Sequence, residues 1–129
     1  MSTDKQEAVI DYLTADTTLS SYIGDRCYYG PSDMSSEYPR IVFNIPSGPD
    51  QSESTDLWQR WRFFFVAENQ STIEAMRKRV KELLNRAYGS ISSESFYNIS
   101  FIDDLPIVLR DDQNMEAISD YRFSYDGGI

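Results

Sequence analysis

Histidine is missing from all 129 residues. That removes the commonest general base and the commonest metal ligand in one step. Ser-His-Asp and Cys-His arrangements cannot be built within the chain. Cysteine occurs once, at Cys27, so no intramolecular disulfide forms. One cysteine and no histidine also exclude a structural zinc site. Cys27 falls inside an expected strand, where a buried, inert thiol is the favoured reading. Neither G-x-G-x-x-G nor G-x-x-x-x-G-K-[ST] occurs, so nothing supports dinucleotide or P-loop phosphate binding. No apolar run approaches the roughly 20 residues of a membrane span, and there is no secretory hydrophobic region. The chain is therefore expected to be made and folded in a reducing cytoplasm.

Positive charge is also scarce. Twelve basic residues face 21 acidic ones, a net charge of −9. Such a surface repels nucleic acid and anionic membranes over most of its area and favours solubility. Aromatics, by contrast, are plentiful: seven Phe, nine Tyr and two Trp. They fill sheet cores and dominate protein interfaces. The length fits one domain, spanning 1–129, with a core that needs no staples.

The pattern of residues predicts the order α-α-β-β-β-α-β-β. Thr3 with Gln6 makes a capping-box signature. Val9, Ile10 and Leu13 then give an apolar stripe on a helix from about Asp4 to Thr14. Asp16 caps a second short helix with Leu19, Tyr22 and Ile23 inward. Gly24 stops it in a left-handed cap. A strand over Arg26–Gly30 ends at Gly30-Pro31, and Pro39 marks the entry to the next, Arg40–Ile45. Residues 46–54 form a loop by composition. Thr55–Glu68 is a long strand with Leu57, Trp61, Phe63 and Phe65 on one face and Trp58, Arg60, Arg62, Phe64 and Val66 on the other. Ser71 and Glu74 make a second capping box, for a helix reaching about Ala87 and ended by Gly89 and the serines after it. Ile73, Met76, Val80, Leu83, Leu84 and Ala87 line its buried face.

Ser95–Asp103 is a further strand, with Tyr97, Ile99 and Phe101 opposite Phe96, Asn98 and Ile102. Residues 106–109 extend or bend it, and 110–114 turn the chain. The last strand, Met115–Tyr125, alternates with one wet face. The fold class is α+β: a mainly antiparallel β-sheet packed on one side by helices.

Carboxylates are the remaining source of chemistry. Asp103-Asp104 and Asp111-Asp112 are adjacent pairs, and neighbours on a strand point to opposite faces. Asp111 to Asn114 lacks the spacing of a calcium loop and its closing Glu. A turn rich in turn-forming residues explains it. Nothing in the sequence points to an enzyme.

Two features are candidate binding surfaces. Arg60 and Arg62 alternate with Trp58 and Trp61, so they can stack on partner groups, or simply meet acidic neighbours in the sheet. Arg77, Lys78, Arg79, Lys81 and Arg86 hold five of the twelve basic residues. Such a run is a solvated helix face or a head-to-tail contact with an acidic surface of an identical subunit. The candidate interface residues are therefore Arg60, Arg62, Arg77, Lys78, Arg79 and Lys81, with Asp50, Glu53, Asp56, Asp111 and Asp112 as acidic counterparts.

Certain segments stand out together. Ile10 and Leu13 precede Leu19 and then Ile23-Gly24-Asp25-Arg26-Cys27-Tyr28. A Pro-containing loop leads into Tyr38-Pro39-Arg40-Ile41. The long aromatic strand, the Ser71 helix and the Leu109-Arg110-Asp111-Asp112 turn follow. In this order and spacing the chain resembles the tail terminator (tail completion) proteins of long-tailed bacteriophages, of the minor tail protein U type. The resemblance implies a small subunit in a hexameric ring that caps the tail tube, stops its polymerisation and joins tail to head. It implies contacts with itself, the tail tube protein and a head-completion or neck protein. DNA would pass through the lumen without specific binding, with no membrane and no cofactor. It places the protein in the virion at the head–tail junction, assembled in the host cytoplasm. The other reading from the same features is another connector, such as a head-completion stopper or a baseplate adaptor.

Overall fold

The computed structural model describes residues 2–30, 39–45, 58–91, 94–110 and 114–124. The expected fold class holds: helices cover one face of a mainly antiparallel sheet. The elements are α1 (Ser2–Thr14), α2 (Thr17–Ile23), β1 (Cys27–Tyr29), β2 (Arg40–Asn44), β3 (Trp58–Ala67), α3 (Gln70–Leu84), β4 (Ala87–Ile91), β5 (Glu94–Asp104), β6 (Val108–Leu109) and β7 (Met115–Ser124). The sheet runs β1-β2-β3-β7-β5-β4, with β6 pairing β7 beyond the end of β5. Among the described strands, only β1 and β2 pair in parallel. Helix α1 touches β1, β4 and β5, so the sheet curls until strands from both ends reach one helix.

The core follows from strand alternation. Trp61, Phe63 and Phe65 of β3 are fully buried, and Ala117, Tyr121 and Phe123 of β7 join them. Trp61 stacks on Phe123 with centroids 4.0 Å apart and on Phe43 at 5.4 Å. Phe63 meets Tyr121 edge-on at 5.5 Å. Helix α1 adds Val9 and Leu13; helix α3 adds Ile73, Met76, Val80 and Leu84. Burial of each large apolar side chain contributes roughly 1.5–3 kcal/mol. The Tyr12 hydroxyl donates to the Leu83 carbonyl at 2.9 Å, which ties α1 to a carbonyl of the last turn of α3.

The caps differ in part from expectation. Asp16 caps α2, accepting from the Leu19 amide at 2.8 Å. Gly24 has φ +60°, yet its ψ of −121° lies outside the left-handed helical region. Helix α3 is capped by Asn69, not Ser71: the Asn69 side chain accepts from the Thr72 amide at 2.8 Å, and the Ser71 hydroxyl donates to the same oxygen. The helix also stops earlier, at Leu84. Asn85 leaves helical geometry, Arg86 takes φ +69°, and the Arg86 amide bonds the Ile99 carbonyl at 2.6 Å. The residues expected to end the helix instead form β4, an edge strand paired with β5.

Helix stop, short strand and returning strand are held by one side chain. Arg26 donates to the Pro39 carbonyl at 2.8 Å and to the Tyr22 carbonyl at 3.2 Å. Its own carbonyl accepts from the Ile41 amide. The arginine thus clips the end of α2 to the start of β2, which gives Ile23–Cys27 and Pro39–Ile41 a shared structural purpose.

Candidate assembly surfaces

The described residues contain no cluster of three or more His, Cys, Asp or Glu able to hold a metal, and no helix among them is long and apolar enough to cross a membrane. Burial pushes the Cys27 thiol up to about 12, so it stays protonated and unreactive at neutral pH. The pair Asp103-Asp104 does not converge. Asp104 accepts from the Ser119 hydroxyl at 2.5 Å and lies 3.8 Å from Lys81, while Asp103 is exposed.

Arg60 and Arg62 lie on the outer face of the sheet, opposite the helices. Both grip one carboxylate, Asp120 of β7. Arg60 reaches it at 2.7 Å, and Arg62 forks onto both oxygens at 2.9 and 3.0 Å. The register dictates this, because Arg62 stands directly across from Asp120. Burial alone would raise the Asp120 pKa, but hydrogen bonds from Arg62 and Arg60 outweigh it and hold the group below its ordinary value. The Asp120 side chain is only 3% exposed, against 39% for Arg60 and 35% for Arg62. Arg122 stands opposite Arg60 on the same face and is exposed. Alternation of β3 and β7 foresees these positions. The convergence of two arginines on Asp120 depends on strand register, which one strand's sequence does not reveal.

The basic run on α3 divides in two. Arg79 faces inward along the helix pair: it grips Asp16 at 3.0 and 2.7 Å and Glu82 at 3.1 Å. The Arg79 hydrogen bond lowers the Asp16 pKa despite some opposing desolvation, and Asp16 in turn raises that of Arg79. One aspartate therefore caps α2 and ties it to α3. Arg77 is mostly covered and donates to the Leu105 carbonyl at 2.8 Å, where the chain kinks between β5 and β6. Lys78 is exposed, and among the described residues it makes no ion pair. Lys81 lies 3.8 Å over the Phe101 ring. Of the other candidates, Asp50, Glu53, Asp56, Asp111 and Asp112 fall outside the described residues.

The strand-edge segment 105–109 carries a surface that sequence reasoning missed. Val108 is 53% exposed and Leu109 63%, two of the four large apolar side chains left open to water among the described residues. The signal available was the apolar run Pro106 to Leu109 beside a proline.

The fold class is thus a two-layer α+β unit with a curled sheet. No family model and no curated protein matches the chain. The fold is shared with a chain in the structure of the virion of a native gene transfer agent particle. The TM-score is 0.72 at 17% identity, over 92% of each chain.

Proposed function

We propose that this protein is a structural subunit of a phage-like virion, and within it the tail terminator: a ring, six copies in this reading, seated on the tail tube. The likeness of fold to a virion chain, covering 92% of both, is the observation that carries the reading. The paired segments clipped by Arg26 support the finer assignment, since they are the residues through which the chain resembles tail terminators.

In this role the subunit does no bond chemistry and needs no cofactor. Its work is geometric: one face of the ring ends tube growth and the other receives the head-completion or neck protein. The net charge of −9 suits a passage through which DNA moves without sticking. The particle is assembled in the host cytoplasm.

The test is tube assembly in vitro. Purified tube protein polymerises with and without this protein, and tube lengths and ends are read by negative-stain electron microscopy. Arrested lengths and a ring on one tube end are expected. Tubes that grow unchanged, with bare ends, reject the terminator role; binding only to the head side would move the protein to another connector class.

A further inference from the structure

We infer that the outward half of the α3 basic run, Lys78 and Lys81 beside the β6 edge, docks the acidic stripe Glu7–Asp11 on α1 of a second copy. The inference deepens the proposed ring by naming one of its self-contacts, and so rests on that reading.

The cationic side is what remains after internal bonding is counted. Arg79 is consumed by Asp16 and Glu82, and Arg77 by the Leu105 carbonyl. Lys78 has no ionic partner among the described residues. Lys81 lies over the Phe101 ring and has a long ion pair, 3.8 Å to Asp104, yet its side chain stays 41% exposed. These two lysines border a groove of about 200 Å³, with Glu74, Arg77 and Asp104 completing its walls. The Arg77 Nε atom is buried there without a hydrogen-bond partner. The chain continues from Asp104 through the kink into β6, where Val108 and Leu109 supply exposed apolar area. Beyond β7, no other strand among the described residues pairs with β6. An open apolar strand beside one lysine without an ionic partner and a second held only by a long ion pair is an association surface.

The acidic side lies on a different element. Glu7 and Asp11 are exposed, four residues apart on one face of α1, and form no ion pair among the described residues. Their separation along the helix is about 6 Å and that of Lys78 and Lys81 about 4.5 Å, so two antiparallel or crossing helices can match both pairs. Among the described residues no ion pair joins the two patches within one chain. A contact between different patches of identical chains is heterologous, and such contacts close into rings when the rotation allows. With five of twelve basic residues on or just after α3, the rest of the chain is acid-rich. That favours this helix as the cationic half of a self-contact over DNA binding.

Disulfide trapping tests the contact, since Cys27 is buried and unreactive. Chains carrying Lys78→Cys and chains carrying Asp11→Cys are mixed, with and without tail tubes, and oxidised. A covalent heterodimer well above the level given by Lys78→Cys with the exposed control Glu68→Cys is expected. High salt should reduce the rate. Lys78→Glu with Lys81→Glu should cut self-association on the order of tenfold, and so should Glu7→Lys with Asp11→Lys; mixing the two reversed chains should restore it. Heterodimer no better than the control under both conditions, or reversed chains that assemble like the parent, overturns the contact. Tube capping by the unaltered protein is scored in the same samples, so loss of this contact is distinguishable from failure of the terminator role.

Discussion

The two faces of β3 both mix large side chains into one strand, yet they end in opposite states. Toward the helices, Trp61, Phe63 and Phe65 are fully buried in an aromatic stack. Away from them, Arg60 and Arg62 share the face with Phe64 and Val66, and close on a single aspartate. The inner face holds the fold by burial, which has no direction and tolerates little loss of volume. The outer face relies on a directional charge network that water partly reaches. A fold can therefore keep its core intact while its outer and helical charges remain adjustable for assembly.

That contrast breaks most sharply at Trp61. Trp61→Ala should cost about 3–5 kcal/mol in urea unfolding, because the cavity would sit between Phe43 and Phe123. Loss near zero would mean the aromatic stack does not carry the core. Asp120→Asn is next, at about 1–3 kcal/mol, because it weakens three charge-assisted hydrogen bonds at once. If Arg62→Gln added to Asp120→Asn costs nothing further, the network acts as one unit.

Asp16→Ala removes both the α2 cap and the partner of Arg79, and should cost about 1 kcal/mol from the cap alone. Asp16→Asn keeps the cap and loses the charge, so the difference between the two variants separates the cap from the helix-pair contact.

The pH response sharpens the same comparison. Asp16 and Asp120 both have lowered pKa values in the folded protein. Their contribution is therefore present above the unfolded carboxylate value of about 3.9 and is lost as pH falls through the lower folded values. The unfolding midpoint should fall steeply below about pH 4, and less steeply in the double variant Asp16→Asn with Asp120→Asn. An unchanged acid limb would place the acid sensitivity on other carboxylates. The smallest stability effect is expected for Lys78→Glu alone, within about 0.5 kcal/mol, because that side chain is exposed and makes no ion pair among the described residues.

How much of this was legible in the chain varies by physical origin. Local signals carried well: Asp16 as a cap, alternation in β3 and β7, and the apolar stripe of α3. Where a tertiary contact decided, the sequence was silent. Phe96 and Ile99 differ in parity, yet both are buried, because the register shifts between Ala87 and Gly89 where β4 meets β5. The early end of α3 depends on Arg86 accepting a left-handed backbone to reach Ile99. The split of the basic run into internal and outward halves depends on where Asp16 and Leu105 come to lie, which helical periodicity alone does not encode.

The most direct measurement of the proposed role is the position of the protein in the assembled particle. Gold-labelled antibody against this chain, imaged on intact virions, should mark a single site at the junction of head and tail. Label along the tube, at the distal tail tip, or absent from particles altogether would contradict it.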